Sequence, residues 1–326
     1  MVGVFAVNIA FRKTRDLLSP SLRKRLGALR KKTRYIHHRL LRPEQYEGEV
    51  RRMYRRVFGR DVRFDDPKTY TEKMQWAKLY DVCPLKTELT DKYLVREWVT
   101  SKIGSSYLVP LLGVYDRFDD IDLDALPNKF VLKATHGSGW NIIVESKSRL
   151  NLKRARKLVN SWMSMNYAYF SFEMHYRDIR PRIILEQYID AVGKTPNDYK
   201  VLCFDGVAKY CWVDVDRFGD HRRNVYDNEW RLQEWQQNFF RNTDYEIPRP
   251  ANFEEMVRLS EKLAEGFSHV RVDWFNVNGQ LFFGEMTFTN GAGFDVIHPP
   301  EYDLLLGELW PLDLSKRQSV FGPPGI

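Results

Sequence analysis

The sequence predicts an α+β protein in which a mainly helical N-terminal region precedes antiparallel strands, and three observations carry that expectation. Residues 43 to 103 place apolar side chains at helical spacing among charges. From Val109 onward the texture changes to short apolar runs bounded by turn residues. Two pairs of these runs are joined through Asp205-Gly206 and Asn278-Gly279, which suit tight hairpins because small residues tolerate the positive φ those turns require. The order is not the regular strand–helix alternation of a dinucleotide-binding domain, and no internal repeat or low-complexity segment is visible.

Taken along the chain, Tyr46 to Phe58 and Leu85 to Ile103 read as helices. Between them Asp65, Asp66 and Pro67 break the pattern. Thr69 followed by Glu72 has the spacing of a capping box, so a helix starts there and runs through Trp76 and Leu79. Val109–Tyr115, Lys129–Lys133 and Ile142–Val144 read as strands, and Leu152–Met165 as a helix. Strands are then expected over Ile183–Ile189, Tyr199–Phe204, Ala208–Asp214, His269–Phe275 and Gln280–Glu285, with a helix over Phe253–Phe267.

Charge is unevenly distributed. The chain of 326 residues carries a formal +8, yet residues 1 to 60 hold 17 Lys or Arg against four acids, a net of +13, so the remainder is net acidic. Met1–Phe11 is apolar apart from Asn8, but it is shorter than the ~20 residues of a membrane helix and lacks the basic lead of a secretory signal. It is followed by Arg12, Lys13, Arg15, Arg23, Lys24, Arg25, Arg30, Lys31, Lys32 and Arg34. An apolar tip ahead of dense positive charge suits an anionic membrane surface, and equally a solvated, partly disordered tail or one docked on a partner. Nucleic acid is not expected, because aromatic interleaving is weak in the arm and no recognition motif is present. Cys83, Cys203 and Cys211 are odd in number and lack metal-ligand spacing, which fits a reducing, cytoplasmic setting.

Five segments carry chemistry. Lys133 ends an apolar run and is followed by His136, Gly137, Ser138 and Gly139, a flexible loop that can close over phosphates while the lysine neutralises them. Glu186, Gln187, Tyr188 and Ile189 follow a second apolar run and could form a hinge beside a flat ring. Asp198 and Lys200 form the third segment. Arg271 with Asp273, and Glu285 with Thr287, lie on successive strands where alternation puts each pair on one face. Carboxylates on adjacent strands repel unless a cation lies between them, and a magnesium ion is one candidate. Each segment alone also fits a plain structural role, such as a surface hairpin, a strand end, or Arg271 pairing with a neighbouring acid. The loop Phe288–Phe294 after the acids could admit a substrate, and no Ser, His or Cys set forms a credible nucleophile.

In order, these segments resemble the ATP-grasp superfamily. The longer string through Asp65–Lys73, Thr90–Tyr93, Leu126–Lys133, His136–Asn141 and Asp198–Lys200 is similar to its TupA-like branch, associated with teichuronopeptide and other cell-surface polysaccharide synthesis. The similarity extends over about residues 45 to 312. It implies two lobes of antiparallel sheet that clamp MgATP, and divides the chain into a basic arm (1–42), a helical N-terminal domain (43–125), a central subdomain with the glycine loop (126–190), a C-terminal subdomain with the metal site (191–312) and a tail (313–326). By resemblance, Lys133, His136–Gly139, Glu186–Ile189, Asp198 and Lys200 bind ATP. Arg271, Lys200, Arg217 and Arg223 act on the transferred phosphate or the substrate carboxylate, Arg222 being an alternative. Asp273, Glu285 and Thr287 hold Mg²⁺, with Thr287 standing where related ligases have Asn and Asn290 as a substitute.

The activity implied is an ATP-dependent carboxylate–amine ligase working through an acyl phosphate on a polysaccharide precursor. Its substrate would be a sugar- or amino-acid-derived small molecule or a lipid-linked glycan. A sugar kinase built on the same clamp and a glycosyltransferase are the alternatives. The expected location is the cytoplasm, with peripheral contact at the inner membrane face through residues 1–40.

Overall fold

Proline presets φ for a helix start, and α1 (Pro20–Leu40) of the computed structural model begins on one. The structure describes residues 19–190, 196–217, 219–238 and 240–318. The apolar tip Met1–Phe11 and the cations Arg12, Lys13 and Arg15 lie outside the described residues, as does the end of the 313–326 tail. From Pro20 the basic arm is helical: alanine, leucine, lysine and arginine are good helix formers, and no proline interrupts them. The chain divides into two compact units, Met1–Tyr46 and Glu47–Ile326. No helix of the described residues is long and apolar enough to cross a membrane.

Helix α2 (Tyr46–Phe58) begins at the last residue of the first unit and runs into the second, where α3 (Tyr70–Tyr80) follows. The capping box at the start of α3 is present: Thr69 accepts from the Glu72 amide, and the Glu72 carboxylate accepts from the Thr69 amide at 3.2 Å. Leu85–Ile103 departs from expectation, because it is two helices, α4 (Pro84–Thr90) and α5 (Val95–Ile103). Asp91 breaks it, accepting from the amides of Tyr93 at 2.8 Å and Leu94 at 3.3 Å, an alternative to the helical ladder.

A first antiparallel sheet contains β1 (Leu111–Tyr115), β2 (Phe130–Ala134), β3 (Asn141–Val144) and β4 (Ile183–Gln187), in the order β1-β4-β2-β3. One face, with Phe130, Leu132, Ala134, Ile183 and Leu185, packs on Ala155, Val159 and Trp162 of α6 (Leu152–Met163). A short α7 (Ala168–Ser171) follows. The second sheet contains β5 (Asp198–Phe204), β6 (Val207–Val215), β7 (Arg222–Asp227), β9 (His269–Val277) and β10 (Gln280–Thr287), ordered β10-β9-β5-β6-β7 and antiparallel throughout. Strand β7 has no counterpart in the sequence reading, since Arg222–Asp227 is largely polar and shows no apolar run. Helix α8 (Phe253–Ala264) covers one face of this sheet, the short β8 (Gln236–Gln237) pairs with β11 (Ile297–His298), and α9 (Glu301–Glu308) lies near the end. Both expected turns have positive φ at their two central residues, 50° and 75° at Asp205-Gly206 and 53° and 80° at Asn278-Gly279.

Candidate functional site

Directly opposed residues of an antiparallel sheet share a face. In the five-stranded sheet Glu285 pairs with Asp273, Asp273 with Lys200, and Thr287 with Arg271, while Asp198 pairs with Asp214 and Asp214 with Arg223. Eight polar side chains from five strands therefore project from one face. Arg271 grips Asp273 with two bonds of 2.6 and 2.7 Å and reaches Glu285 at 3.3 Å and Thr287 at 3.1 Å. Lys200 pairs with Asp198 and stands 3.3 Å from Asp214 and 3.7 Å from Asp273. Arg223 closes the far end with two bonds to Asp214, and the largely exposed Arg217 donates to Asp198 at 2.8 Å. Arg222 instead pairs with Asp220 and Asp244.

Simple alternation would not place Glu285 here. Phe283 opposes Trp274 on the apolar face, and the next opposed pair is Glu285 with Asp273, so Gly284 is the extra residue of a bulge. That bulge returns Glu285 and Thr287 to the charged face. A Cβ at Gly284 would lie 3.0 Å from the Asp273 carbonyl oxygen, so the position favours glycine.

In the four-stranded sheet Lys133 and Glu186 share the face turned away from α6, joined at 2.5 Å, and Arg96 of α5 holds the other carboxylate oxygen at 3.1 Å. Val131 and the exposed Ile143 lie on that same face, giving an apolar floor beside the ion pair. The loop joining β2 to β3 has an exposed tip at Ser138 and Gly139, with Gly139 at φ +71°. His136 is placed differently from expectation: its ring is 2% exposed, bonded to the Trp162 carbonyl at 3.1 Å and packed edge-on against Trp140, so it anchors the loop base. Gln187 is exposed where β4 ends, and Tyr188 and Ile189 are half-buried beyond it, Tyr188 lying under the Lys129 ammonium at 5.4 Å.

The two lobes meet at Lys92, which spacing alone did not assign. The Asp91 break aims its ammonium between the Gly137 carbonyl, 2.9 Å away, and Glu285, 3.8 Å away. Asp91 is in turn fixed by Arg182 at 2.8 Å. The sequence signal was present in Thr90–Tyr93, a lysine directly after a helix-breaking aspartate. Burial lowers the Lys92 pKa, opposed by Glu285. Burial would raise Glu285, but Lys92 and Arg271 outweigh it and hold the carboxyl at about 2. Burial disfavours charge on Arg271 also, yet Asp273 and Glu285 raise its pKa.

Asp273 and Glu285 are two hard oxygen donors, and no cluster of three His, Cys, Asp or Glu side chains able to hold a metal occurs among the described residues. Two carboxylates suffice for Mg²⁺, which keeps water and phosphate oxygens in its remaining positions, so the donor set fits that ion. Asn290 does not join it, since its buried amide oxygen accepts from the Tyr70 hydroxyl at 2.5 Å. The Thr287 hydroxyl donates to Glu285 at 2.9 Å.

A family profile described as TupA-like ATP-grasp matches residues 72–310, well over half of the chain. No curated protein matches the sequence. Among solved structures, the D-alanine–D-alanine ligase of Bacillus anthracis complexed with ATP is 15% identical, covering 62% of this chain and 55% of its own, with a TM-score of 0.38. That of Helicobacter pylori is 12% identical, covering 69% and 61%, with a TM-score of 0.39. The N5-carboxyaminoimidazole ribonucleotide synthetase of Thermus thermophilus is 11% identical, covering 67% and 52%, with a TM-score of 0.38. The chain thus spans less than two thirds of the length of each of these proteins.

Proposed function

The chain belongs to the TupA-like ATP-grasp family, and from that premise we propose that it is an ATP-dependent carboxylate–amine ligase acting on a cell-surface polysaccharide precursor. The observation that carries the reading is the charged face of the five-stranded sheet, where Lys92, Lys200 and Arg271 surround the opposed carboxylates Asp273 and Glu285.

Phosphoryl transfer asks for positioning and charge neutralisation more than for covalent help from the protein. Lys92, bonded to the Gly137 carbonyl of the loop, and Lys133, on the strand that leads into it and paired with Glu186, suit the phosphates of ATP, with Val131 and Ile143 beneath a flat base. Asp273 and Glu285 would hold Mg²⁺, which supplies charge neutralisation between phosphate oxygens when bound. Arg271 and Lys200, beside the two carboxylates, and the exposed Arg217 are the cations proposed for a γ-phosphate, whereas Arg223, paired with Asp214 at the far end of the sheet, orients that carboxylate and, through it, Lys200. A substrate carboxylate oxygen would attack the γ-phosphorus with ADP departing. An amine would then attack the acyl carbon, expelling phosphate and losing a proton. The loop tip at Ser138 and Gly139 would exclude water from the acyl phosphate.

An ADP-release screen of purified protein against sugar acids, amino acids and amino sugars tests the reading. Release that requires both a carboxylate and an amine is expected. A stable phosphorylated sugar formed without amine would make the protein a kinase instead, and turnover of a nucleotide sugar with no affinity for ATP a glycosyltransferase.

A further inference from the structure

Helix α1 exposes a stripe that the proposed chemistry does not use. Leu26, Leu29, Ile36 and Leu40 are 38%, 60%, 46% and 77% exposed. At about 100° per residue they fall within a sector of roughly 80° along the helix. Arg30 lies about 40° beyond one edge of that sector and Lys32 about 40° beyond the other, with Arg34 and Arg39 further round, all four exposed, and no acidic residue occurs between Asp16 and Glu44. The buried residues Tyr35 and His38 lie on the opposite side.

We infer that α1 is an interfacial helix that lies on an anionic lipid surface, with Leu26, Leu29, Ile36 and Leu40 inserted among the acyl chains and the flanking cations on the headgroups. Apolar burial and charge attraction act together in such a helix. A second copy of the chain is a poorer occupant, because two such stripes would bring two uncompensated rows of cations together. Nucleic acid would satisfy the cations but leave the stripe in water. The proposed seat is the helix, and removal of residues 1–18 separates it from the apolar tip Met1–Phe11, which the sequence also offered.

Flotation of the full chain with vesicles of phosphatidylcholine, alone or enriched in phosphatidylglycerol, tests this. Binding to the anionic vesicles should exceed binding to the neutral ones at least tenfold. The double variant Leu29→Gln/Ile36→Gln, which keeps every charge, should weaken it roughly tenfold or more, with ADP release and far-ultraviolet circular dichroism unchanged. Removing residues 1–18 should leave most of the binding. Three outcomes would overturn the inference: full binding by the glutamine variant, loss of binding with the 1–18 deletion alone, or self-association in solution that the glutamine variant abolishes.

Discussion

The two faces of the five-stranded sheet are made by the same strands, and both carry apolar residues, but the buried charges are gathered on one of them. One presents Tyr199, Val201, Cys203, Cys211, Val213, Val270, Val272 and Trp274 to α8, and all of them are buried. The other presents Asp198, Lys200, Asp214, Arg223, Arg271 and Asp273, each at most 8% exposed, beside Leu202, Phe204, Trp212 and Val225, which pack with Tyr70 and Met74 in a second core. Both are largely closed to water, though Glu285 keeps a third of its side chain exposed, and only the apolar groups gain stability simply by being covered. Buried ions must recover a large desolvation cost from their partners, and replacement by apolar residues is often neutral or stabilising. A buried ionic cluster set beside apolar cores on both faces of the sheet is therefore better explained by chemistry than by folding, and the following substitutions probe that contrast.

On the apolar face, Val272→Asp puts an unpaired carboxylate at a position with no exposure. The cost, several kcal/mol, should leave no cooperative thermal transition by circular dichroism; a native-like melt would mean the two faces differ less than their composition implies. On the charged face, Glu285→Gln should instead keep the transition while lowering turnover by about 10³-fold, several kcal/mol of transition-state stabilisation. Unimpaired ADP release would contradict the proposed role of Glu285 as a metal ligand.

Asp214→Asn lies between these extremes. It leaves Arg223 and Lys200 without their shared carboxylate and should cost about 3 kcal/mol at neutral pH. Burial raises the Asp214 pKa, but Arg223, Lys200 and His221 outweigh it and hold it well below 3.8. A depressed carboxyl stabilises fully above its ordinary value and loses that contribution as pH falls through the native one. The gap between wild type and variant in urea unfolding should thus be constant from pH 7 to about 4.5 and shrink below 3.8; a gap that widens on acidification would contradict the ion-pair account. The smallest effect is expected for Gly284→Ala, about 1 kcal/mol by calorimetry, since the new methyl meets the Asp273 carbonyl at 3.0 Å. Activity should fall more than stability does, because the bulge sets the position of Glu285.

What could be read in the sequence was what is local. The Thr69–Glu72 box, the Asn278-Gly279 turn and the strands around Lys133 depend on neighbours a few residues away, and the structure has all of them. The bulge at Gly284 escaped notice because a glycine in a strand looks the same with or without one. Lys133 and Glu186 meet from 53 residues apart, and Asp214 meets Arg223 only because polar Arg222–Asp227 forms a strand at all. Lys92 reaches its position through a helix break that apolar periodicity had bridged. Partnerships of that kind are set by tertiary packing, which composition and spacing do not encode one residue at a time.

The central claim is that the charged face binds nucleotide through magnesium, and calorimetric titration of ATP into the purified full chain tests it without knowledge of the substrate. Saturable binding is predicted in the presence of Mg²⁺, weakened at least tenfold by chelation and to a similar degree by Glu285→Gln. Absence of binding, or equal affinity in all three cases, would contradict it.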